Sequence, residues 1–189
     1  MTTTSTTSAA AAIDASALPS RLHHNAYVTN DQEATRAFYE DIVGLPLTAT
    51  WREEDELFGA VRTYCHTFYG LGDGSALAFF QFVNEEDQKQ FGPKMPFSPF
   101  QHIALKVTKE VQDRIAQSLK ASDWKPEETY VLDHGYCTSL YTSDPNGLLL
   151  EFTYDTPGVE ESDEQRRKTA HADLKAWLEG QHESNNNYR

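Results

Sequence analysis

Cysteine is nearly missing from this chain: Cys65 and Cys137 are the two in 189 residues, and no Cys-x-x-Cys spacing occurs. The plain reading is a reduced cytoplasmic protein with two buried thiols. Basic residues are also scarce. Lys and Arg number 16 against 29 Asp and Glu, a formal net charge of −13. Such a chain lacks the basic footprint that nucleic acid needs, and it is unsuited to anionic membrane surfaces. No apolar run approaches the roughly 18 residues of a membrane span. Residues 1–20 are mostly Thr, Ser and Ala, and no Arg precedes Arg21. Without a basic n-region, a secretory signal is not expected, and a flexible tail is. The length suits one compact domain with a real core, and is short for two. The acids of residues 53–56, 85–87 and 160–164 read as solvated loops or helix starts.

What is present concentrates in residues 134–151, HGYCTSLYTSDPNGLLLE. Asp144-Pro145-Asn146-Gly147 is a turn signal, because Pro presets one φ and Gly tolerates the positive φ of a tight hairpin. Residues 148–152 then read as an almost wholly apolar strand with Glu151 inside it. A carboxylate there pays a desolvation cost unless it is paired or bound to a metal. Arg62 is the main basic alternative among the core strands.

Two histidines supply a set of partners. Residues 22–28 and 100–107 look like versions of one strand, each opening on a His (His24, His102) and continuing with alternating apolar residues. Each is followed by a helical pattern: Asp31 as N-cap with Ala34, Phe38 and Ile42, then Val111, Ile115 and Leu119. Two His and one carboxylate from separate strands form a set that holds a divalent metal and leaves open positions. His23 belongs on the opposite strand face, as a structural or supporting residue.

A weak internal repeat orders the whole. Module one, about 22–83, reads strand, helix, a strand near 47–52, then strands 61–69 and 76–83. Module two, about 100–154, repeats the order with strands 128–132, 136–142 and 148–154. Residues 84–99 read as a linker with Phe91, Met95 and Phe97 as apolar points. Residues 160–178 read as an amphipathic helix with Ala170, Leu174, Trp177 and Leu178 on its apolar side, followed by a polar tail. The expected fold class is α+β: two βαβββ modules forming an open barrel over 21–156, with a C-terminal helix and tail over 157–189. Trp51, Phe58, Tyr64, Phe68, Phe80 and Phe82 are expected in the core or pocket wall.

The modules resemble the vicinal oxygen chelate superfamily, which includes glyoxalase I, extradiol dioxygenases and bleomycin-resistance proteins. Phe38-Tyr39 and Val43-Gly44-Leu45 stand at its Phe-Tyr and Leu-Gly-Leu positions. The extradiol branch is the closer match: His134, Leu140-Tyr141, Asp144-Pro145-Asn146-Gly147 and Glu151 fit its motif, with Leu132 as a departure. The resemblance implies His24, His102 and Glu151 as metal ligands, with His134 and Tyr141 contacting substrate oxygens. It also implies Fe(II), although Mn(II), Zn(II) or Ni(II) suit the same ligands. Two departures bear on chemistry. Ala78 and Phe80 cannot supply the fourth ligand of glyoxalase I. Ser75 stands near the position of the extradiol acid-base His, for which His66 is a neighbouring substitute. The expected function is cleavage of a small catechol-like diol by O2. The alternatives are a lyase or isomerase using the metal as a Lewis acid, or a non-catalytic resistance-type binding protein. The expected partners are a substrate with adjacent oxygens and, mildly, a second copy in a homodimer.

Overall fold

Period-two alternation in both halves gives each sheet one apolar face, and the two apolar faces close on the helices between them. The computed structural model describes residues 18–93, 96–126, 129–186 and 188. In the first module β1 (His24–Val28) leads into α1 (Gln32–Arg36), which continues as a π-helical segment, Ala37–Val43. Strands β2 (Leu47–Leu57), β3 (Ala60–Gly70) and β4 (Ala76–Phe82) follow. After α2 (Glu85–Phe91), the second module repeats the order: β5 (Ile103–Lys106), α3 (Lys109–Ala121), β6 (Tyr130–Asp133), β7 (Cys137–Ser143) and β8 (Leu149–Asp155). The last helix is α4 (Val159–Leu178).

The sheets run β1-β4-β3-β2 and β5-β8-β7-β6. In each, the first and last strands of the module pair in parallel and the other pairs are antiparallel. This is the expected α+β architecture of two four-stranded βαβββ modules, with open sheets and a helix after them. Among the described residues no helix is long and apolar enough to cross a membrane.

Local signals account for the helix starts. The Asp31 side chain accepts from the Ala34 amide at 2.9 Å, and Thr108 accepts from the Val111 amide at 3.3 Å. Each satisfies a donor that the first helical turn leaves open. Phe38, Tyr39 and Val43 from the first helix meet Tyr69, Leu77 and Phe79 of one sheet. Ile115 and Leu119 of α3 meet Leu140, Leu150 and Phe152 of the other, and all belong to one cluster. Fully burying each such side chain contributes roughly 1.5–3 kcal/mol, so the shared core is what joins the modules.

A polar hub sits inside that join. Asp144 opens the turn between β7 and β8 and is 2% exposed. Its Oδ1 accepts from the backbone amides of Asn146 and Leu148, both at 2.8 Å. Its Oδ2 accepts from Asn146 Nδ2 and from the Tyr39 hydroxyl, both at 2.9 Å. Gly147, at φ +83°, closes the turn with its amide on the Asp144 carbonyl. The helix of module one is thereby tied to the turn that launches β8.

Several expectations are corrected. The acids of 53–56 lie on β2, a sheet edge, where charge discourages strand-to-strand aggregation. The linker contains α2, capped by the Asn84 side chain on the Glu86 and Asp87 amides. Trp51 is 56% and Phe58 85% exposed, so neither is core. Leu174, Trp177 and Leu178 are exposed as well, so the expected apolar side of α4 is not covered among the described residues. Arg62 pairs with Asp87 at 3.1 Å, not with Glu151. Cys137 is buried and Cys65 half-buried. Residues 1–17, Met95 and Glu128 lie outside the described residues.

Burial raises the Asp144 pKa above 3.8, against the opposing pull of its hydrogen bonds. The folded state therefore holds this proton more tightly than the unfolded chain. The contribution of Asp144 to stability is largest below pH 3.8 and falls as pH rises through the higher folded value. Asp144→Ala should leave the Tyr39 hydroxyl and two amides unpaired in the core, and should lower the unfolding free energy by about 3 kcal/mol in urea titrations. Tyr39→Phe, which removes one bond of the hub, should cost about 1 kcal/mol. A cost below about 1 kcal/mol for Asp144→Ala would contradict the hub.

Candidate metal centre

Strand alternation on β8 sends Leu150 and Phe152 into the core and Glu151 to the opposite face. The sheet register places Ala104 and Tyr141 beside Glu151, and Ser139 beside Thr153. Glu151 is 6% exposed, and its desolvation is offset from two sides. His102 Nε2 lies 2.8 Å from its Oε2, and the Ser139 hydroxyl donates to its Oε1 at 2.5 Å.

Tyr141 extends the cluster. Its hydroxyl lies 3.1 Å from His134 Nε2, and the His102 ring stands edge-on to the Tyr141 ring at 5.6 Å. The hydroxyl pKa is pushed up to about 12, first by burial and then by the charge and hydrogen bond of Glu151. At neutral pH Tyr141 is therefore a phenol that can donate a hydrogen bond. Tyr130 of β6 stacks on it at 4.9 Å, nearly parallel.

The remaining sequence-derived residues lie on the other sheet. His24 Nδ1 is 2.8 Å from His23 Nδ1, so His23 contacts the His24 ring directly. The His24 ring lies 5.5 Å from Phe68 and 6.3 Å from His66. His66 stacks on Phe80 at 3.6 Å, and its Nε2 is buried with no hydrogen-bond partner among the described residues. Burial lowers its pKa, favouring the neutral ring. Ser75 is tied to Asp73, Oγ to Oδ1 at 2.5 Å.

The structure thus brings His102, Glu151, Tyr141 and His134 together and leaves His24 and His66 near each other on the first sheet. Among the described residues no three His, Cys, Asp or Glu gather as a metal set. The donors of the second sheet fit half of such a site. An imidazole nitrogen and a carboxylate oxygen sit side by side on an open sheet face, and the other carboxylate oxygen is already oriented. Ser139 and Tyr130 escaped the sequence reading. Their signal was there: Ser139 shares the alternation of Tyr141 and Glu151, while Tyr130 needed the β6 register.

Two cavities flank this region. A cleft of about 850 Å³ between the modules is lined by Tyr27, Phe80, Phe97, Trp124 and Asn146 and does not reach Glu151. A smaller one of about 310 Å³ reaches His102, with Tyr27, Phe97, Gln101 and Leu148. The smaller one adjoins the polar cluster and is the better candidate for a substrate entrance.

Comparison with known proteins agrees with the fold. The fosfomycin resistance protein FosX from Listeria monocytogenes superposes with a TM-score of 0.52 at 18% identity, over 74% of this chain and 97% of that one. The same protein complexed with Mn(II) and sulfate gives a TM-score of 0.50 at 18% identity, over 74% and 96% of the two chains. FosX from Mesorhizobium loti gives 0.51 at 17% identity, over 77% and 99%. At such identities the likeness is one of fold. No curated protein matches the sequence closely enough to count as a relative. The sequence model of the glyoxalase/bleomycin resistance protein/dioxygenase superfamily matches residues 21–152, from the strand that opens on His24 through Glu151. By that match, and by its two βαβββ modules, the chain belongs to the glyoxalase/bleomycin resistance protein/dioxygenase superfamily.

Proposed function

We propose that the chain is an Fe(II)-dependent extradiol-type dioxygenase that opens a small catechol-like diol with O2. The observation that carries the reading is the contiguous set of His102, Glu151, Tyr141 and His134 on one sheet face. It joins two metal donors to a proton-handling pair. A divalent metal bound there supplies Lewis acidity to two adjacent substrate oxygens and, as iron, a redox centre for dioxygen.

The side chains do the rest. His102 and Glu151 would hold the metal, and Ser139 engages one carboxylate oxygen of Glu151. Tyr141, kept protonated by its surroundings, donates to a substrate oxygen. His134, hydrogen-bonded to Tyr141, takes the proton that the diol gives up and returns it to the opened product. Both atoms of O2 enter the product, so no other reductant is consumed. His24 is the third ligand, supplied by a second copy, which makes the active species a homodimer. Its place on the other sheet, facing away from the helices, supports that arrangement.

One observation favours a lyase or isomerase instead. In module one Ser75 is bound to Asp73 and the His66 Nε2 is buried, so neither expected acid-base position of that module stands ready. Oxygen uptake by the Fe(II)-loaded protein over a catechol panel separates the readings. A dioxygenase consumes one O2 per ring-opened product, and His134→Ala lowers turnover by about 10²- to 10⁴-fold while metal content holds. Turnover of a non-oxidative substrate under anaerobic conditions, with no catechol-driven uptake, would overturn the reading.

The dimer makes a separate prediction. His24→Ala and Glu151→Ala should each lose most bound metal as homodimers while staying folded. Dimers mixed from the two variants should recover metal, since one of their two sites is intact. Full metal in the His24→Ala homodimer would remove His24 from the site.

A further inference from the structure

The turn that carries His134 is held from outside its own sheet. Gly135 lies at φ +82°, and a Cβ there would fall 2.4 Å from the Tyr188 carbonyl oxygen and 2.7 Å from the Tyr188 Cβ. Only glycine allows so close an approach in that conformation. The Tyr188 ring stands 6.2 Å from the ring of Tyr136, and the Arg166 guanidinium of α4 lies over both, at 5.5 Å and 4.9 Å. The Tyr136 ring is in turn 5.9 Å from the His134 ring.

The inner side of the turn is pinned as well. The Gly135 amide donates to Asp133 Oδ1 at 2.7 Å, and the Thr156 hydroxyl donates to the Gly135 carbonyl at 2.8 Å. The Thr156 amide donates to the Tyr136 carbonyl at 2.8 Å, and the His134 amide to the Cys137 carbonyl at 2.9 Å. Tyr188 is the outer jaw, and Arg166 between two tyrosine rings is its fastening. Core packing does not explain α4, for Val159 is its one buried residue among those described.

We propose that Tyr188 and Arg166 are positioning residues: they clamp the turn of residues 133–137 so that His134 Nε2 meets the Tyr141 hydroxyl. Catalysis is sensitive to such placement, since displacement of a reacting group by about 1 Å can cost on the order of 10²-fold. The proposal rests on the reading of His134 as the proton-handling group, but the clamp can be tested apart from it.

The test uses the full chain without added metal, with Tyr188→Ala, Arg166→Ala and Tyr188→Phe. Amide hydrogen exchange is followed at His134, and the His134 imidazole resonances are assigned by loss in His134→Gln. Each Ala variant should raise His134 amide exchange by about tenfold and shift the imidazole resonances, with thermal unfolding of the domain nearly unchanged. Tyr188→Phe, which keeps the ring, should behave as the parent. Unchanged exchange and resonances in both Ala variants would overturn the clamp, as would Tyr188→Phe matching Tyr188→Ala. With a catechol that drives oxygen uptake, the Ala variants should lose about tenfold in kcat with little change in KM. If no catechol is oxidised, the exchange and resonance data still decide the clamp, so the two ideas fail separately.

Discussion

The hydrogen bond from Tyr39 to Asp144 is the constraint on which the architecture turns. It links the helix of one module to the turn of the other inside a shared apolar core, where an unpaired hydroxyl or carboxylate would cost heavily. Asp144 also collects the amides of its own turn, so one side chain sets both the module contact and the start of β8. A slip of one residue in β8 would send Glu151 into the core and Leu150 or Phe152 to the open face. The position of the carboxylate therefore follows from a turn several residues upstream.

Around Glu151 the electrostatics are nearly self-contained. His102 and Ser139 each meet one carboxylate oxygen, and burial, joined by the charge of Glu151, keeps the Tyr141 hydroxyl protonated. The result is a graded line of groups on one face: an imidazole–carboxylate pair, a neutral hydroxyl donor, and a histidine whose ring nitrogen meets that hydroxyl. The proposed handling of a diol and its protons draws on this grading more than on any one residue.

The repeat has divided its histidines unequally. Both modules open on a His at the sheet edge, yet only the second carries a carboxylate and a Tyr beside it. The first surrounds His24 with His23, His66 and Phe68, and Phe80 stacks on His66, a mainly aromatic face. The two open faces differ chemically: one carries His102, Glu151, Tyr141 and His134, the other an imidazole among aromatic rings.

Much of this was legible in the residues. Strand and helix patterns ordered the modules, Asp31 announced its helix, and an acid within an apolar strand demanded a partner. Those features depend on neighbours in sequence, where period and capping act. Other features were set at long range. Trp51 and Phe58 looked apolar enough for the core, but Trp51 lies on the edge strand β2 and Phe58 in the turn after it, and both stand in solvent. Ser139 and Tyr130 joined the site only through strand register. Above all, periodicity says which side of a strand a histidine takes, and not which sheet that side will face. His24 and His102 stand alike in sequence, but the packing of the modules through their helices decided that only His102 meets Glu151 within one chain.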